Sequence, residues 1–166
     1  MSSPGDRPGP GSTPADRSRP DSAPGDRPGP DAVPAPVGIV LVSHSAAVAA
    51  SVAELARGLA GGGDTAPVAA AGGAPDGGLG TSAELIADAA RSVDRGAGVA
   101  VFVDLGSAVL TVKALLAEGD ELPEGTRLVD APFVEGAVAA VVTASAGGDA
   151  DAVAAAAGEA YAYRKE

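Results

Sequence analysis

The sequence predicts an α/β fold: a three-layer sandwich with a mainly parallel central sheet, preceded by a disordered tail. Three observations predict it. Val37 to Val42 and Val99 to Val103 are continuous aliphatic runs, the signature of parallel strands covered on both faces. Around these runs, apolar residues recur at helical spacing, so strands and helices alternate. The first 36 residues hold ten of the chain's 14 prolines, which leaves about 130 residues for one core.

In the first 36 residues, Pro4-Gly5-Asp6-Arg7-Pro8-Gly9-Pro10 returns unchanged as Pro24-Gly25-Asp26-Arg27-Pro28-Gly29-Pro30. Proline removes backbone donors and glycine raises the entropy cost of ordering, with too few apolar side chains to offset either. A solvated tether over residues 1–36 is expected, with the folded domain over residues 37–166.

The first strand, Val37 to Val42, leads into a helix from Ala46 to Ala60, with Val48, Val52, Leu55 and Leu59 as its expected buried stripe. Gly61-Gly62-Gly63 ends it. Ala66 to Ala71 reads as a weaker strand, followed by a glycine-rich loop from Gly72 to Gly80. Thr81 or Ser82 then caps a helix that buries Leu85, Ile86, Ala89 and Val93. Val99 to Val103 precedes Asp104-Leu105-Gly106-Ser107 and a third helix through Val109, Val112, Leu115 and Leu116. Arg127 to Asp130 is the last expected strand. Ala131 to Gly136 leads into an Ala/Val-rich helix, and Asp149 to about Gly158 forms another.

Composition excludes several function classes. The net charge is -11, and past residue 36 there are 17 acids against seven bases; nucleic acid and anionic membranes both demand basic patches. No apolar stretch nears the ~20 residues that span a bilayer, and no apolar segment follows an N-terminal basic region. A cytoplasmic protein is expected. With no cysteine and one histidine, thiol chemistry and His-rich metal sites are excluded, and neither a metal nor a cofactor is expected. Phe102, Phe133, Tyr161 and Tyr163 are too few to make a stacking platform.

Right-handed crossovers bring the carboxyl ends of all parallel strands to one edge, where α/β proteins place their chemistry. The loops at His44, Gly72 to Thr81, Asp104 to Ser107 and Ala131 to Gly136 meet there. A lone histidine at a strand end is often a turn residue. A Ser-His-Asp hydrolase is formally available from Ser43, Ser45 or Ser107 with Asp104, but the G-x-S-x-G elbow is missing. Histidine as a nucleophile toward phosphorus fits better. A phosphoryl group on His44 lies beside the first amides of the following helix, with Ser45, Thr81 and Ser107 as hydroxyl donors and the glycine loop as a source of N–H groups. Asp104 is placed to orient the ring through the nitrogen that does not react.

Val42-Ser43-His44-Ser45, Gly80-Thr81-Ser82, Asp104-Leu105-Gly106-Ser107-Ala108 and Ala131-Pro132-Phe133-Val134-Glu135-Gly136 together resemble the DhaM family. These are the phosphotransferase subunits of phosphoenolpyruvate-dependent dihydroxyacetone kinases, with a mannose-family IIA domain. The resemblance covers about Val37 to Gly158. It implies a homodimeric α/β sandwich and a relay in which the carrier HPr phosphorylates His44. The phosphoryl group then passes to ADP on the DhaL subunit, and dihydroxyacetone is phosphorylated on DhaK. It further implies that Asp104 is the family's acidic residue after the third strand, Ser107 the small polar residue of that loop, and Gly80 and Thr81 the phosphate-side loop; with Ser45 and Gly106 these complete the expected phosphate-binding set. Some family members carry HPr-like and enzyme-I-like domains after the IIA domain. With one histidine, this chain is expected to take the IIA step alone. A mannose- or fructose-type sugar-transport IIA component and a non-catalytic binding module are the alternatives.

Overall fold

The computed structural model describes residues 33–61 and 63–166. The expected tail lies outside the described residues as far as residue 32; residues 33–36 have no regular secondary structure.

The longest strand, β1 (Gly38–Ser43), is buried at all six positions, as a central strand covered on both faces must be. Its neighbours are β2 (Val68–Gly72) and β3 (Val99–Val103), with β4 (Thr126–Leu128) outside β3. The order is β2-β1-β3-β4, and every pairing is parallel.

Strand periodicity sorts the core into two layers. Ile39, Leu41, Ala100 and Phe102 pack under α1 (Ala46–Leu59), α4 (Phe133–Ser145) and α5 (Ala150–Glu159). Val40, Val42, Val99 and Val101 pack under α2 (Ala83–Val93) and α3 (Gly106–Glu118). A single 3-10 turn, Ala160–Ala162, follows α5. The fold is therefore the expected three-layer α/β sandwich. Among the described residues no helix is long and apolar enough to cross a membrane.

One expected face is wrong. In α1 the buried residues are Ala49, Val52, Ala53 and Ala56, while Val48 and Leu55 are 45% and Leu59 60% exposed. The helix is pressed between the sheet and α4, and alanines allow the close approach that leucines would prevent. Leu85 of α2 is also partly exposed, at 39%, and Ala90 is buried beside the expected residues. The second strand begins at Val68 rather than Ala66, and the fourth starts one residue early, at Thr126, and stops two early, at Leu128.

The chain leaves β1 toward β2 on one side, then returns to place β3 on the other. Successive crossovers diverge at β1 and β3, and the crevice past their carboxyl ends is the natural ligand position in such a sheet. His44 follows β1 and Asp104 follows β3.

Candidate active site

Ser43 closes β1 and Ser45 opens α1, so His44 is the single residue of the junction. Asp104 stands at the matching position after β3, and the β1–β3 register carries the two loops side by side. The side chains of His44 and Asp104 keep 23% and 16% of their surface open.

The Asp104 carboxylate accepts four hydrogen bonds. Its Oδ1 takes the His44 ring at Nδ1 (3.0 Å) and the Leu105 backbone N–H (2.7 Å). Its Oδ2 takes the Ser43 hydroxyl (2.8 Å) and the His44 backbone N–H (2.9 Å). Burial pushes this carboxyl upward, but the donors outweigh it: the His44 amide, the Ser43 hydroxyl, the His44 ring and the Leu105 amide hold Asp104 below the ordinary carboxylate value. An ionised carboxylate only accepts, so the proton of the imidazole sits on Nδ1.

Nε2 then carries the free lone pair. It meets the Ser107 hydroxyl at 2.6 Å, with the hydroxyl donating. Ser107 lies in the first turn of α3, whose N-cap, Leu105, supplies no side-chain bond. By contrast α1, α2 and α5 are capped by Ser45, Ser82 and Asp149. The first amides of an uncapped helix, here including Gly106 and Ser107, are unsatisfied donors that favour an anion.

Of the expected phosphate-binding residues, Ser107 meets Nε2, and Gly106 precedes it as the first residue of α3. Gly80 is tied to the same junction by its N–H, which donates to the His44 carbonyl at 2.9 Å. The hydroxyl of Ser45 is used otherwise, accepting from the Val48 N–H at 3.4 Å as the cap of α1. That of Thr81 pairs with the Thr111 hydroxyl at 3.1 Å. Gly72, the last residue of β2, lies under the junction: a Cβ there would stand 2.6 Å from the Ser45 carbonyl oxygen and 2.7 Å from the Ala46 Cα.

Two further residues come only from the structure: the sequence offers Ser43 solely as a candidate nucleophile, and no sequence signal marks Thr111. Ala131, Pro132 and Phe133 line a groove of about 750 Å3 together with Asp104, Leu105 and Gly106, which places that expected loop at the same edge. Among the described residues no group of three or more His, Cys, Asp or Glu is placed to hold a metal.

The arrangement can do two kinds of chemistry. A neutral imidazole fixed by a carboxylate on Nδ1 presents Nε2 as a nucleophile, with anion donors around it. The same order of contacts, Ser107 to His44 to Asp104, is that of a serine hydrolase triad.

The chain is similar to known proteins over most of its described residues. The model of the EIIA-man family, described as the PTS system fructose IIA component, matches residues 38–154. The phosphoryl donor subunit DhaM of PEP-dependent dihydroxyacetone kinase 2 from Listeria innocua is 40% identical over 107 residues, which cover 64% of this chain and 84% of that protein. The DhaM of Escherichia coli is 39% identical over 120 residues, covering 70% of this chain but only 25% of its own length. The crystal structure of the unknown-function protein EF1359 superimposes with a TM-score of 0.63 at 31% identity, covering 75% of this chain and 94% of the other. The matched span runs from β1 into α5 and carries His44, Asp104 and Ser107 alike, and on that ground the chain belongs to the EIIA-man family of phosphotransferase-system IIA components, among whose members it resembles the DhaM phosphoryl donor subunits.

Proposed function

We propose that this protein is the phosphoryl donor subunit of a phosphoenolpyruvate-dependent dihydroxyacetone kinase, with His44 Nε2 as the atom that carries the phosphoryl group. HPr donates: the N–P bond of its phosphohistidine breaks as the Nε2–P bond forms, and Nδ1 keeps its proton. The ring becomes cationic, and the Asp104 carboxylate balances that charge. Ser107, released from Nε2, turns its hydroxyl to the phosphoryl oxygens beside the Gly106 and Ser107 amides. ADP held by the DhaL subunit then accepts the group on its terminal phosphate oxygen, giving ATP and returning the neutral imidazole. Residues 37–166 are the carrier domain, residues 1–36 a tether, and the working form is a cytoplasmic homodimer.

The single observation that carries this reading is the saturation of Nδ1 by an ionised carboxylate while Nε2 faces a hydroxyl and an uncapped helix start. Incubation with phosphoenolpyruvate, enzyme I and HPr is expected to place one acid-labile, alkali-stable label on the chain. Label retained by His44→Gln overturns the assignment.

Two other readings have an observation behind them. The family description names a fructose IIA component, and a sugar-transport acceptor would discharge the labelled protein to a IIB partner rather than to DhaL and ADP. The triad-like contacts of Ser107 favour a hydrolase, which a fluorophosphonate would label on Ser107. The relatives at about 40% identity, named as phosphoryl donor subunits, favour the carrier.

A further inference from the structure

We propose that Ser43 is a positioning residue for the transfer, holding the Asp104 carboxylate in the orientation that serves His44; this rests on the carrier reading above. Ser43 is the one buried polar side chain among the described residues, 1% exposed. A hydroxyl in that place costs stability unless fully bonded, and this one is bonded on both sides. It donates to Asp104 Oδ2 at 2.8 Å and accepts from the Ser45 N–H at 3.1 Å.

The direction of both bonds is fixed. An ionised carboxylate has no proton to give and an amide has no lone pair to offer, so the hydroxyl cannot reverse. Its proton is therefore committed to Asp104, which removes Ser43 from any role as a nucleophile activated by His44. Oδ2 is held from two directions, by Ser43 and by the His44 N–H. That fixes the plane of the carboxylate and leaves Oδ1 facing Nδ1. Leu105 N–H and both His44 donors come from residues of the two loops themselves; Ser43 is the donor that ties Asp104 to the end of a central strand. Without it Oδ2 keeps a single partner, the carboxylate can swing, and the Ser45 amide loses its acceptor.

The experiment uses the full chain as wild type, Ser43→Ala and Ser43→Thr, with thermal melts to confirm that each is folded. The carboxyl carbon of Asp104 is titrated by NMR, which needs no partner protein. In Ser43→Ala its midpoint is expected to rise, and in Ser43→Thr, which keeps the hydroxyl, to return toward wild type. Transfer from phospho-HPr is expected to fall about tenfold in Ser43→Ala, the scale of one hydrogen bond to a charged group. The acid limb of its pH profile should move to higher pH, and Ser43→Thr should recover most of the rate. Should Ser43→Ala not fold, Ser43→Cys, a close replacement with a weaker donor, gives the same measurement. A titration of Asp104 that superimposes on wild type, or a rate loss without any change of pH profile, overturns the inference. Absence of labelling in the wild type sinks the carrier reading instead, and the two failures are thus told apart.

Discussion

Asp104 grips His44 at two points, the ring through Oδ1 at 3.0 Å and the backbone through Oδ2 at 2.9 Å. One carboxylate thereby sets both the tautomer of the imidazole and the path of the chain that carries it. Replacement by asparagine keeps the size and loses the charge that, in the proposed transfer, would balance a phosphorylated, cationic ring. Asp104→Asn is expected to lower the rate of transfer from phospho-HPr by about 100-fold, within the range found for positioned acid–base groups. Rapid-quench labelling checks it, and a variant within twofold of wild type would show that the carboxylate has no part in the chemistry.

The same grip predicts a pH dependence of stability. Because Asp104 is lowered in the folded state from its ordinary value of 3.8, the unfolded chain takes up this proton first as the solution is acidified. The stabilisation is fully present above the ordinary value and is lost as pH falls through the lower, folded one. Wild type and Asp104→Asn should therefore differ by a constant amount near neutrality, and the difference should close below about pH 4. Urea denaturation of the two proteins between pH 7 and pH 3 reads it directly.

Gly72 is the third lever. Its missing Cβ makes room for the Ser45 carbonyl and the Ala46 Cα, backbone atoms that cannot rotate aside. Gly72→Ala is expected to cost about 1–3 kcal/mol, as overpacking does, and to displace the start of α1 together with His44. A drop in both the denaturation midpoint and the labelling rate is the expected outcome; a variant as stable as wild type would mean that the strand end gives way freely.

Much of this site was legible because the rules that place it are topological. Two aliphatic runs, each ending in a polar residue, suffice to put His44 and Asp104 at one sheet edge, and both the β3 limits and the partnership of the two residues follow. The buried face of α1 was not legible. In a helix where alanine is the commonest apolar residue, spacing alone points to the large side chains Val48, Leu55 and Leu59, while close packing selects Ala49, Ala53 and Ala56. Type and position point Ser45 and Thr81 to the phosphoryl group. In the structure the hydroxyl of one caps its own helix and that of the other bonds a neighbour on α3, because a short polar side chain takes the first backbone or hydroxyl partner within reach. Ser43 escaped for the opposite reason: a serine in sequence beside a histidine gives no sign that it faces a carboxylate 61 positions away.

The bare start of α3 has a thermodynamic side. Three helices bring a side-chain cap, while α3, like α4, has none, and its first turn is closed by the Ala108 N–H bond to the Leu105 carbonyl at 3.0 Å. In the proposed transfer, a phosphoryl group on His44 would give the Gly106 and Ser107 amides an acceptor. The carrier reading therefore predicts slower amide exchange at Gly106 and Ser107 on loading, with the starting rate restored after delivery. On that reading the empty carrier would present its donor with a helix start still lacking an anion.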